Sequence, residues 1–171
     1  MTSRSLQASF FRDLNKQETP EAALVFLTIS HPGLASDVTV VNDQRDYVVG
    51  SATFVGFPFD ITILTDSESP PEATLTIQNV DRVIGKSIRE LTSPPRLKIE
   101  IIALSEFDTT ADPRTVLSAP AVVEYTADQL YLLDADVNGA EVSGRIVSWI
   151  YTQESWPGVR CTRARAPAVW R

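Results

Sequence analysis

FVGFPFDITILTDSESPPEATLTIQNVDR, residues Phe54–Arg82, reads as two strands joined by an acidic, proline-stiffened turn and delivered into a helix. Phe59, Ile61 and Ile63 alternate with Asp60, Thr62 and Leu64. Past the turn, Leu75 and Ile77 alternate with Thr74, Thr76 and Gln78. A two-residue period places one set of side chains on each face, the pattern of a half-buried strand. Neither run carries an evident catalytic group.

Working outward, the same pattern recurs. Ala23–Ser30 is an almost continuous apolar run of strand length, which predicts a strand covered on both faces. Val38–Val41 and Asp46–Val49 flank the turn signal Asn42-Asp43-Gln44 and predict a hairpin. Arg96–Leu104 alternates Leu97, Ile99 and Ile101 against Lys98, Glu100 and Ile102. Thr115–Tyr125, Gln129–Ala135 and Glu141–Ile150 read as further strands, with Asn138-Gly139 the strongest two-residue hairpin signal. Two helices are expected. Ser5–Gln17 sets Leu6, Phe10, Phe11 and Leu14 on one face, and Asn79–Leu91 spaces Val80, Ile84, Ile88 and Leu91 helically before Pro94-Pro95 stops it. The expected fold is mainly β, a β-sandwich or distorted antiparallel barrel of eight or nine strands, with two helices and an extended C-terminal arm. The expected organisation is an N-terminal helical segment (1–20), a β-rich domain (21–154) and a basic arm (155–171).

These segments also carry a resemblance. FPFDI, PPEA and NVDR within Phe54–Arg82, AALVFLTISHPGL (Ala22–Leu34), VVNDQRDYV (Val40–Val48) and LTSPPRLKIEIIALSEFD (Leu91–Asp108) resemble a family of minor tail proteins from long-tailed, non-contractile phages. The resemblance implies a β-rich ring or hub at the tail tip, joining the tail tube to the receptor-binding apparatus. It implies copies of itself as partners, six in preference to three, together with other tail-tip and tail-tube proteins. Similar tip proteins of lambda-like phages pair a β-sandwich hub with a cysteine-rich cluster domain. Only the hub part matches here, because Cys161 is the sole cysteine. The implied location is the virion tail, after synthesis in the host bacterial cytoplasm.

Composition narrows the chemistry independently. With 171 residues, 43% hydrophobic and 22% charged, the chain suits one core with attached arms. No apolar run reaches the ~20 residues of a membrane-spanning helix, and Asp13 interrupts the region a signal peptide keeps uncharged. One cysteine and one histidine, His31, leave no internal disulfide, tetrahedral zinc site or iron–sulfur cluster within one chain. His31, in Ser30-His31-Pro32-Gly33, reads as a turn histidine rather than a general base. The acidic loops Thr65–Glu72 and Ser105–Pro113 lack the glycine pivot and oxygen ladder of a calcium loop and read as solvated turns. Gly50 and Gly56 around Ser51–Val55 lack the lysine of a phosphate loop. No catalytic residue, cofactor or metal is expected; the readings set against a structural component are an assembly chaperone or adaptor and a tail-associated hydrolase.

Charge is divided unevenly. The formal net charge of −7 separates into +4 over Ser155–Arg171, which has no Asp or Glu, and −11 over residues 1–154. Trp156 and Trp170 stud this basic arm. The expectation is that it docks on a neighbouring subunit, with Trp156 or Trp170 as apolar anchors and Arg160, Arg163 and Arg165 facing the partner's carboxylates or carbonyls. An acidic lumen would let DNA pass as transient cargo without binding.

Overall fold

The computed structural model describes residues 2–4, 7–62, 72–78, 89 and 91–148. The described chain is mainly β: eleven strands in one mixed sheet that does not close on itself. In chain order these are β1 (Thr2–Arg4), β2 (Ala23–Ser30), β3 (Val38–Val41), β4 (Tyr47–Val49), β5 (Ala52–Gly56), β6 (Phe59–Ile61), β7 (Glu72–Gln78), β8 (Arg96–Ala103), β9 (Arg114–Thr115), β10 (Val123–Val137) and β11 (Glu141–Val147). Helix α1 (Ala8–Leu14) follows β1, and a single 3-10 turn, Leu104–Glu106, follows β8. The sheet runs β6-β7-β11-β10-β8-β2-β3-β5-β4-β9, with β1 added to β10.

The centre of the sheet is buried on both faces, as the apolar run of β2 requires. From β2, Leu27 and Ile29 join Val40, Leu97, Ile99, Leu130 and Ile146 in the larger core, roofed by β6, β7 and β11 through Phe59, Leu75, Ile77 and Val142. The opposite face of the same strands contributes Leu24, Phe26, Val41 and Ile102 to a second core completed by Tyr47, Phe54 and Phe107. Each fully buried Leu, Ile or Phe in these layers contributes about 1.5–3 kcal/mol over its exposed state. Strand β8 shows the price of the double coverage: its clean alternation at Leu97 and Ile99 breaks at Ile101, which is half-buried while Ile102 and Ala103 are buried.

Strand β10 organises the rest. It pairs with β8 along one edge from Val123 to Tyr131. Along its other edge it pairs with β1 at Tyr125–Ala127 and with β11 at Tyr131–Val137. Pairing slips between Val123 and Tyr125, between Ala127 and Leu130, and between Leu133 and Asp136, where Asp134 takes φ 52. Such bulges bend a strand and sharpen its twist, which lets one 15-residue strand serve both halves of the sheet.

Several expectations are corrected. The sheet is neither antiparallel throughout nor a closed barrel, because β3–β5 and β4–β9 are parallel pairs. The hairpin expected between Val38–Val41 and Asp46–Val49 does not form. Strand β3 lies between β2 and β5, and β4 instead turns through Gly50-Ser51 into β5, with Gly50 at φ 62, a conformation open to glycine at no steric cost. The N-terminal segment opens with a strand rather than being wholly helical. The strand expected over Thr115–Tyr125 does not form as one element: Thr115 ends β9, residues 116–122 lie between strands, and Val123–Tyr125 open β10, which runs on through the expected Gln129–Ala135 strand. Among the described residues there is one α-helix, not two. The second expected helix, Asn79–Leu91, lies outside the described residues apart from Arg89, which is helical, and Leu91. Helix α1 is shorter than Ser5–Gln17, and among the described residues of its apolar set only Phe10 is buried; Phe11 and Leu14 are exposed. Consecutive helical residues are ~100° apart, so Phe10 and Phe11 do not share one face.

A hairpin joins β10 to β11 at the expected place, but one residue on from the expected two-residue Asn138-Gly139 turn: Asn138 and Glu141 close it and Gly139-Ala140 make the turn. Asn138 Oδ1 accepts from the N–H groups of Ala140 and Glu141, while Asn138 N–H donates to the Glu141 carbonyl. No helix among the described residues is long and apolar enough to cross a membrane.

Candidate functional site

The polar motif Asn42–Asp46, between β3 and β4, gathers the densest set of interacting side chains in the described structure. The Tyr47 hydroxyl donates to Asp43 Oδ2 at 2.5 Å, and Arg114 Nη1 donates to the same oxygen at 3.0 Å and to the Tyr47 hydroxyl. The Arg114 guanidinium also stands over the Tyr47 ring, 5.4 Å from its centroid. Below this clasp the ring packs edge-on against Phe26 at 5.7 Å and Phe107 at 4.9 Å, and Phe54 meets Phe26 edge-on at 5.0 Å. Aromatic pairs in this geometry contribute about 0.5–1.5 kcal/mol beyond area burial.

The electrostatics follow from the placement. Burial and the hydrogen bond to Asp43 push the Tyr47 phenol up to about 12, against the opposing pull of Arg114. A phenol held in its protonated form is a donor, not a base or nucleophile, at neutral pH. Its consequence is mechanical: it ties the 42–46 loop to β4 and, through Arg114, to β9. Two further contacts extend the clasp. Asp46 Oδ1 accepts from Gly56 N–H at 2.8 Å, and Arg45 pairs with Asp112 at 2.8 Å. Gly56 is required there because a Cβ would lie 2.5 Å from the Arg45 carbonyl oxygen. Gly50 and Gly56, considered for a phosphate loop, thus serve a turn and a close backbone crossing.

His31 occupies a turn at the end of β2. Gly33 N–H donates to its Nδ1 at 2.8 Å, so the neutral imidazole carries its proton on Nε2, which faces Ser93 Oγ at 2.7 Å. A general base for Ser93 needs a bare Nε2, the opposite tautomer.

The carboxylates of Ser105–Pro113 each have partners within the chain. Asp108 Oδ1 accepts from the hydroxyl of Thr110 and from its N–H, which lowers its pKa; Asp112 holds Arg45; Glu106 accepts from Val122 N–H. Among the described residues no group of three or more His, Cys, Asp or Glu side chains could hold a metal ion. The loop Thr65–Glu72 lies outside the described residues except for Glu72.

The predicted interface residues Trp156, Arg160, Arg163, Arg165 and Trp170 also lie outside the described residues. Two features that sequence reasoning missed lie within them. Glu124, a buried charged side chain 2% exposed at the first β10 bulge, accepts from the backbone N–H of Gln7 at 2.6 Å and so seats the start of α1. Phe11, Leu14 and Leu117 are large apolar side chains left 56%, 48% and 66% exposed. The only sequence signal for the first was an acid inside the apolar run Val122–Tyr125; for the second, the helical register itself.

No curated protein matches this chain in sequence. A family model described as "Domain of unknown function (DUF1833)" matches residues 9–160, from α1 through β11 and into the arm, and the chain therefore belongs to the DUF1833 family.

Proposed function

We propose that this chain is a structural subunit of the tail tip of a long-tailed, non-contractile phage, a distal-tail or hub ring joining the tail tube to the receptor-binding apparatus. Copies close into a ring, six in preference to three, since a compact body with one arm suits closed cyclic symmetry. Other tail-tip and tail-tube proteins are its neighbours above and below, and DNA is passing cargo. The resemblance of Phe54–Arg82 and its flanking segments supports this reading. So does the use of the polar side chains: Asp43, Asp46, Tyr47, Arg114 and His31 are engaged in holding loops and turns in place.

The observation that carries the assembly reading is the open sheet. Its ends are β6 and β9, strands of three and two residues. Short strands blunt an edge against indiscriminate pairing while leaving it able to meet one geometrically matched neighbour. The basic C-terminal segment, with Trp156, Trp170, Arg160, Arg163 and Arg165, supplies the second contact by docking on the adjacent subunit.

Peptide mass spectrometry of purified virions, with an image of the tail tip at subunit resolution, tests the proposal. The expected result is a ring of this chain at the distal end of the tube. Its presence in infected cells but absence from purified particles would overturn the structural role in favour of an assembly chaperone or adaptor.

A further inference from the structure

The seat of the arm is legible from the sheet register and the exposed apolar side chains. Strand β11 ends opposite Tyr131, and β1 begins opposite Ala127 on the same edge of β10. Four residues of strand separate them, about 13 Å. The chain leaving β11 is therefore aimed along β10 at β1, which occupies the edge ahead of it, and at α1, whose first residues are fixed to Glu124. Along that edge the end of β11 stands seven residues of strand, about 23 Å, from Glu124 at the corner where α1 begins.

That corner is apolar and acidic together. Phe11 and Leu14 are exposed side chains of α1, three residues apart on neighbouring positions of the helix surface. Leu117 is held at the same end, because its N–H donates to the Glu106 carbonyl at 2.8 Å while the Glu106 carboxylate accepts from Val122 N–H, two residues before Glu124. Around them, α1, residues 15–22 and the 3-10 turn carry Asp13, Glu18, Glu21 and Glu106 against only Arg12 and Lys16. An exposed apolar ridge in an acidic setting complements a segment rich in tryptophan and arginine and free of carboxylates. Residues 155–171 of this chain have that composition.

We infer that the exposed Phe11 and Leu14 of α1, with Leu117 at the same end of the sheet, form the docking surface for the C-terminal arm of a neighbouring copy. The supply of the arm by a neighbour rests on the ring reading above. Trp156 or Trp170 covers the ridge, and arginines of the arm meet the surrounding carboxylates. The contact is heterologous, arm of one copy to helix of the next, the geometry from which cyclic rings close.

Cys161, the sole native cysteine, lies within the arm and makes the test direct. Full-length Leu14→Cys, and separately Leu117→Cys, is treated at high protein concentration with a short bismaleimide, which adds one thiol at each end and needs no oxidant. Gly139→Cys, at the hairpin tip where open space surrounds the residue, is the control. The expected result is a 14–161 or 117–161 linkage joining two chains, seen as covalent oligomers and identified by peptide mass spectrometry, at least tenfold above any 139–161 linkage. Linkages within a single chain would overturn the neighbour-supplied arm, and linkages no more frequent than the control would overturn the docking surface. A neighbour-to-neighbour linkage in a protein that never enters virions would sink the tail reading alone, leaving the docking surface standing.

Discussion

Gly56→Ala tests the clasp where it is least able to yield. The added Cβ would sit 2.5 Å from the Arg45 carbonyl oxygen, 2.7 Å from its carbon and 2.8 Å from its nitrogen. All three are main-chain atoms, so no rotamer change relieves the clash. Either β5 leaves β3, breaking the Val41–Gly56 pairing, or the 42–46 loop moves and pulls Asp46 from Gly56 N–H. Overpacking of a tight contact costs about 1–3 kcal/mol. A hydrogen bond to a charged group adds about 1.5–3 kcal/mol when broken. Because the two share one displacement they do not add fully, and a loss of about 3–4 kcal/mol is expected, a large part of the ~5–15 kcal/mol a domain has. At roughly 2–4 °C per kcal/mol for a chain of this size, the melting temperature should fall by about 6–16 °C. Thermal and urea unfolding of the purified variant measure it. Gly139→Ala, with nothing within 4 Å of its added Cβ, is the matched control. Equal stability of the two variants would refute the close-crossing argument.

The Tyr47 phenol is raised to about 12 in the fold against ~10 in the unfolded chain, so its contribution is complete below pH ~10 and is lost as pH rises toward 12. Urea titrations of wild type should show an alkaline loss across that window that is reduced in Tyr47→Phe; superimposable profiles would contradict the clasp. Ile77→Ala, at a residue 0% exposed and opposite both Phe59 and Val142, should cost roughly 2–5 kcal/mol, whereas exposed Lys98→Ala should change stability by no more than about 0.5 kcal/mol. Calcium or a chelator should leave the melting temperature unchanged, since a native-state ligand raises it in proportion to RT ln(1 + [L]/Kd); a calcium-dependent rise would identify a bound cation.

Where sequence reading succeeded, the cause is local. The apolar run of β2 and the alternation in β7 each encode their outcome within a few residues and appear as read, and the Asn138-Gly139 signal marks the β10–β11 hairpin to within one residue. What escaped is carried by distant partners. Pairing of β4 with β9 joins Tyr47 to Arg114, and a parallel ladder leaves no mark on the periodicity of either strand. The burial of Glu124 makes sense only with the Gln7 main chain beside it. The same holds for the candidate site: the composition of the arm is plain from sequence, but the exposure of Phe11 and Leu14 depends on what the rest of the fold leaves uncovered around α1.

The two-partner edge of β10 has a temporal consequence. Gln7 and the Glu124 that anchors it are 117 residues apart, and β1 lies still further from its pairing partners. At ~5–20 residues per second, the ribosome takes roughly 6 to 23 s to make the anchor after it has made the helix. Throughout that interval β1 is an unpaired strand and α1 lacks its anchor, so these two elements are made long before they can dock. Nascent chains on one polysome would carry this exposed N-terminal stretch side by side, which makes the delay between β1 and β10 the period in which association with another copy competes with folding.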